Sequence, residues 1–433
     1  MKPMRTQRQA TALLTVGFFI VAVGRPALAG DTKKAVRVAL IDVDGNTSAD
    51  STDIHYFVEK GMRQSDNVRL IALDDVLNAG AQASDVQNIA FGKEALATGL
   101  KSFKAGNCDE AADQFGQAVT FFEQSFAFLD DPDDYLKALL HQGVCLWRTG
   151  SKPAGKDTVA KALIVEPELD TSAFAGEADL FKAANEAVRD RGLTSVAVSV
   201  VPEGSRVFVD GGYRGVSPAF RPGLREGIHF VRVERQGFGR HGEKVITKTS
   251  NDAPDGNMKV DVELAAARKK AQLEELLPGL RTEFGASDAG KTTQRLQSLL
   301  LVDYVVLYRS SGGSRQKKVE LALYNLASSR LLKGINGTVD WSQRSREAKD
   351  AVLKLATDLL KVELETMVKV EPDPNAGNKG VTSSGGIHTK WWFWTAIGAV
   401  VLGGIVGVAF ALKPKEEQHG LDPDGNGAIL LRF

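Results

Sequence analysis

The chain's 433 residues carry 54 basic and 54 acidic side chains, a balance that excludes a net field drawing it to nucleic acid or to an acidic lipid surface. Hydrophobic residues at 43% and charged residues at 25% are ordinary values for a folded protein, and the length allows about three domains. Only two cysteines occur, Cys108 and Cys145, which excludes a disulfide-framed fold; they either pair, as an oxidising compartment allows, or remain buried thiols.

Residues 1–29 have the order of a secretory leader. Lys2, Arg5 and Arg8 precede an apolar stretch over 12–23, and Ala27-x-Ala29 supplies the cleavage site. The stretch is too short to span a membrane, so the mature chain is expected to start near Gly30 outside the cytoplasm; an uncleaved leader, giving two anchors, is the alternative. Residues 35–84 then read as a strand over 37–42, a helix over 53–64 and a strand over 68–72. Asp42-Val43-Asp44-Gly45-Asn46 is the turn after the first strand.

Residues 85–192 carry almost no strand signal and repeat against themselves. Gly99, Gly106, Ala111, Phe115 and Ala118 recur as Gly143, Gly150, Gly155, Val159 and Ala162, 44 residues on. Small residues at fixed offsets let antiparallel helices approach closely. The spacing resembles the tetratricopeptide repeat, with Pro167 at its proline position, and departs from it at Gly155, Ser102 and Leu146. The resemblance implies a concave groove for a partner protein, closed by a last helix over 171–191. Asp130-Asp131-Pro132-Asp133-Asp134 is a solvated turn and helix start.

Residues 193–265 read as all strand. Val196 to Val200 alternates, Pro202-Glu203-Gly204-Ser205 turns, and Val209-Asp210-Gly211, Gly215-x-Ser217-Pro218 and Gly227-x-His229 follow before Gly237-Phe238. These stations resemble the PEGA domain, a small β-sandwich-like module. The resemblance implies an adhesive element meeting envelope polymers or proteins. Asp210 before Gly211 reads as a hairpin turn, not as the partner of His229 in catalysis.

Residues 268–370 hold a helix over 293–301, a central strand Asp303-Tyr304-Val305-Val306-Leu307-Tyr308-Arg309, a hairpin of strands over 319–324 and 331–339, and a long amphipathic helix over 345–368. With residues 35–84 this order resembles the α/β domain of TolB-like and CsgG-like envelope proteins, which implies one discontinuous domain interrupted by the repeats and the strand module. Gly285-Ala286-Ser287-Asp288-Ala289-Gly290-Lys291-Thr292 has the P-loop letters, but its approach, Arg281-Thr282-Glu283-Phe284, is too polar for the buried strand that phosphate binding needs. It reads as a turn before a helix.

A Pro, Gly, Ser and Asn tether over 371–390 leads to residues 391–412, which hold no charge and open on Trp391-Trp392-Phe393-Trp394. At about 1.5 Å per residue a helix of that length covers a roughly 30 Å hydrocarbon layer. Gly403-x-x-x-Gly407 within it would allow self-association. Residues 413–433 become a cytoplasmic tail, in which Asp422-x-Asp424-x-Asn426-Gly427 begins a calcium-loop pattern that Phe433 fails to complete.

His55, His141, His229, His241, His388 and His419 form no ligand-spaced group. No residue is assigned a catalytic, cofactor-binding or metal-binding role, no cofactor is expected, and no partner-binding residue can be named. The fold class is multidomain α+β with one transmembrane helix. The expectation is a non-enzymatic scaffold or adaptor of a bacterial cell-envelope assembly, held in the inner membrane with its bulk in the periplasm. It would bind envelope proteins by its repeats and a cell-wall or surface polymer by its strand module. The alternatives are an envelope sensor or regulator binding a ligand or peptidoglycan, and an ATP-dependent enzyme resting on Lys291.

Overall fold

Strand β1 (Val36–Asp42) is an almost unbroken apolar run, the pattern of a strand covered on both faces. In the computed structural model, which describes residues 35–45, 48–78, 83–129, 131–248 and 257–364, it is central to a five-stranded sheet. Ser48 caps helix α1 (Ala49–Arg63) by accepting from the Ser51 amide, so the helix starts before the expected 53. Strand β2 (Val68–Leu70) returns parallel to β1, and a short helix, α2 (Leu73–Leu77), follows.

Five helices then fold back on one another in sequence: α3 (Ala83–Lys104), α4 (Cys108–Gln124), α5 (Asp133–Arg148), α6 (Lys152–Val165) and α7 (Ala178–Arg189). The recurring glycines set their approach. A Cβ on Gly143 would meet the Gly155 carbonyl at 2.9 Å and Val159 at 2.6 Å, and one on Gly99 would meet the Phe115 ring at 2.7 Å. The last expected helix is shorter than 171–191, because a 3-10 turn, Ser172–Glu177, takes its beginning.

The strand module is a sandwich. A three-stranded sheet, β6-β3-β9, packs on a four-stranded one, β5-β4-β7-β8. The strands are β3 (Leu193–Val201), β4 (Arg206–Val209), β5 (Gly212–Val216), β6 (Ala219–Arg225), β7 (Gly227–Glu234), β8 (His241–Thr247) and β9 (Asn257–Glu263). Val196, Val198, Val200, Val207, Val231, Val233 and Val260 interlock between them. The sandwich docks on the helices through Phe230, stacked on Phe126 at 4.0 Å and edge-on to Tyr135.

The chain returns to the first sheet through α8 (Lys270–Glu283) and α9 (Lys291–Leu300). Strand β10 (Tyr304–Gly312) pairs parallel with β1, Val306 opposite Leu40; β11 (Gln316–Asn325) and β12 (Arg330–Asp340) continue antiparallel. Helix α10 (Arg346–Leu359) packs with α1 on one face through Val58, Met62, Val352 and Ala356, while α8 and α9 cover the other through Leu276, Leu280 and Leu296. Residues from both ends of the described chain thus share one sheet.

The expected leader, tether, apolar run 391–412 and tail, with Gly403, Gly407, His388, His419 and the Asp422–Asn426 pattern, lie outside the described residues. Among the described residues no helix is long and apolar enough to cross a membrane.

Candidate functional site

The three parts of the molecule meet at a buried cluster of charges. Arg206 opens β4 directly across from Glu234, the last residue of β7. Its guanidinium lies 2.5 Å from Glu59 of α1 and 2.9 Å from Glu234. Arg63 reaches the other side of Glu59 at 2.9 Å. Arg240 sits 3.0 Å from Asp74 of α2 and 3.6 Å from Glu234, and donates to the Ala127 carbonyl beside the helical array. Burial works against the charge on Glu59, but Arg206 and Arg63 outweigh it and hold the carboxyl well below the usual range. At Asp74 burial wins over Arg240, and the pKa rises. Arg206 and Arg240 each face anions from other elements, so the cluster staples α/β sheet, helices and sandwich together; buried charges are tolerated when they are paired in this way.

Gln236 adds a second link. Its amide accepts from the Asp42 backbone N–H at 3.0 Å and donates to the Asp42 carbonyl at 3.1 Å, taking the place of one more strand residue at the end of β1. Between these links lies a cavity of about 250 Å³ lined by Leu40, Asp42, His55, Glu59, Arg206 and Gln236. Burial, then the charge of Arg206, lowers the His55 pKa to about 4 and keeps the ring neutral. Its Nε2 is buried without a hydrogen-bond partner.

The sandwich is held by its own stations. Gly204 adopts a φ of 82°, the Ser205 hydroxyl donates to the Pro202 carbonyl at 2.7 Å, and Ser217 accepts from the Val200 amide at 2.7 Å. Asp210 and Gly211 both have positive φ, as a two-residue hairpin turn demands. The Asp210 carboxylate accepts from the Phe230 amide at 2.9 Å and holds His229 Nδ1 at 2.7 Å, while His229 Nε2 donates to the Arg225 carbonyl. Residues 193–265 match the PEGA domain. The match covers the sandwich and no more of the chain, and no tetratricopeptide or TolB/CsgG-like family is matched. No curated protein and no solved structure matches the chain. In the PEGA domain, then, the Asp210–His229 pair is fully buried and fixes a turn: burial opposes the charged ring, but the bond to Asp210, its charge and the Arg225 carbonyl outweigh it and raise the pKa.

The remaining motifs resolve into local structure. The P-loop letters are preceded by helix α8, not by a strand, and Glu283 occupies the N-terminus of α9. Its carboxylate accepts from the Thr292 amide at 2.9 Å, the Thr293 amide at 2.8 Å and the Thr293 hydroxyl at 2.8 Å. Those are the amides a phosphate would use. No sequence signal marked Glu283, because it reaches them from the preceding helix. Asp42 accepts from the amides of Asp44 and Gly45 and makes the expected turn. Asp131 accepts from the Asp133 amide at the start of α5. Cys108 and Cys145 are thiols with sulfurs 3.0 Å apart, bridging α4 and α5. His141 packs among Phe103, Phe115 and Phe174, and among the described residues no group of three or more His, Cys, Asp or Glu side chains could hold a metal.

The outer face of the first helical hairpin differs. Val86 and Phe91 of α3 are 58% and 42% exposed, and Phe91 leans on Phe121 of α4 at 5.6 Å. Sequence reasoning named no residue here, since periodicity alone cannot tell an outer ring from a core one.

Proposed function

We propose that the protein is a non-enzymatic scaffold or adaptor of a bacterial cell-envelope assembly of the secretion, pilus or gliding-motility kind. Residues 391–412 anchor it in the inner membrane, with close packing at Gly403 and Gly407, and its bulk stands in the periplasm. The helical array, tetratricopeptide-like in spacing, recruits envelope proteins. The PEGA domain meets a cell-wall or surface polymer, and the TolB/CsgG-like α/β part forms the base that joins them. One observation carries this reading: the charges at the junction are consumed in locking three modules together, while the first hairpin presents Val86 and Phe91 to solvent. Exposed aromatic residues of this kind anchor protein contacts.

Crosslinking in intact envelopes, followed by capture, tests it. A defined set of envelope proteins should be recovered with the unaltered chain and lost with Phe91→Asp, at equal protein level and equal melting temperature. An unchanged set, or a reporter after Gly386 that faces the cytosol, would falsify the scaffold reading. The cavity beside His55 favours a second reading, an envelope sensor or regulator that binds a small ligand or a peptidoglycan fragment there. Ligand-dependent protection of residues 52–59 from hydrogen exchange, with no partner captured, would select it.

A further inference from the structure

Helix α1 presents Thr52, His55 and Glu59 to the junction, and a different face of the same helix lines an open groove of about 630 Å³. Residues of β5 and β6 of the PEGA domain line it too, with Arg344 and Lys349. Its charge is one-sided. Lys60, Arg214, Arg221, Arg344 and Lys349 line it against a single carboxylate, Asp53. That carboxylate is already held by Arg344 at 2.8 Å and by the Tyr213 hydroxyl. Among the described residues, Lys60, Arg214, Arg221 and Lys349 make no ion pair. The Nε atoms of Arg214 and Arg221 are buried and lack a hydrogen-bond acceptor. Burial, then the charge of Arg221, lowers the pKa of Arg214 against the opposite pull of Asp210 and Glu166, neither of which lines the groove or pairs with it.

The groove also carries aromatic surface. Tyr56 and Tyr213 stack at 3.9 Å, and Phe220, 56% exposed, shares the exposed face of β6 with Pro222. Gly215 leaves its backbone bare, with nothing within 4 Å of where a Cβ would stand. Aromatic surface and free guanidinium groups lining one groove suit a chain of sugars that carries carboxylates, since the C–H face of a sugar stacks on an aromatic while an oxyanion is taken by the fork of Arg.

We propose that this groove binds an acidic polysaccharide, its sugars lying against Phe220 and its carboxylates reaching Arg214 and Arg221. The inference deepens the polymer contact proposed above and rests on it, but is separate from the protein-recruiting face at Phe91.

The test uses the full chain in mild detergent and calorimetric titration with three probes: polygalacturonate oligomers, their neutral methyl esters and poly-L-glutamate. Polygalacturonate should bind, with affinity falling as salt rises, and the methyl ester should bind at least about tenfold more weakly. The Arg214→Gln, Arg221→Gln double variant should lose about tenfold or more, and Phe220→Ala severalfold with its salt dependence unchanged. Should the double variant melt early, Lys60→Gln with Phe220→Ala replaces it, both positions being exposed. Absence of binding, equal binding of the ester, equal or tighter binding of poly-L-glutamate, or full binding by a folded variant overturns the proposal. Partner capture through Phe91, measured in the same preparations, shows whether the scaffold reading falls with it.

Discussion

Two histidines make opposite demands on pH, each for a reason visible in its neighbours. His229 has its pKa raised by Asp210 against burial, so the stability it contributes is complete below the ordinary histidine pKa of about 6.5 and is lost as pH climbs through the raised folded value. His55, half-buried with its Nε2 shut off from solvent, is held neutral with a pKa lowered to about 4, so its share is complete above about 6.5 and declines as pH falls toward 4, by at most roughly 3 kcal/mol across the whole window. Melting temperature against pH should therefore peak near the ordinary histidine range. His229→Asn should flatten the alkaline limb alone, and His55→Gln the acid limb alone. Loss of both limbs in one variant would show that the two rings are not the titrating groups. Of these, the turn role of Asp210 was legible from Asp-Gly in a strand context. The neutrality of His55 was not, since it follows from burial and from Arg206, far away in sequence.

Among the elements, the helical hairpins depend on bare backbone at some glycines and not at others. A methyl at Gly143 would press on the Gly155 carbonyl and on Val159, neither free to move, whereas one at Gly116 would meet only the amide end of Gln142. Gly143→Ala should cost about 1–3 kcal/mol by overpacking. Gly116→Ala should be neutral or stabilise by up to about 1 kcal/mol through helix propensity. Denaturant midpoints of the two variants decide the matter; equal losses would mean that helix approach is not set at Gly143. The 44-residue recurrence made this pairing readable, as period-two alternation did for β3, β4 and β7 and the apolar run for β10. Helix α8 was not readable. Pro278 falls inside it and looks like a terminator, yet Leu273, Leu276 and Leu280 bury a full face and offset the lost hydrogen bond. The long C-terminal helix also stops at Leu359, before the expected 368, because Leu360 is already seated in the core and Lys361 turns back to bond the Asp358 carboxylate at 2.7 Å.

For the whole molecule, rigidity rests on Arg206. Arg206→Ala would leave Glu59 and Glu234 buried without their shared partner, a loss of about 3–5 kcal/mol. Calorimetry should then show the single unfolding transition split, the sandwich melting apart from the α/β sheet; one unbroken transition at the original temperature would remove the staple from the account. Sequence reading could not find this cluster, because its members are ordinary surface letters until the chain brings α1, α2, β4 and β7 together. The five-stranded sheet has one more consequence. Its inner pair, β1 and β10, is separated by the helices and the sandwich, so the first strand emerges during synthesis long before its neighbour exists. The helices and the sandwich can mature meanwhile, each from nearby segments, while β1 waits with both apolar sides bare. Maturation is therefore ordered from the middle outward, and a chain cut short before β10 would carry a sticky, unfinished edge that marks it for disposal instead of assembly.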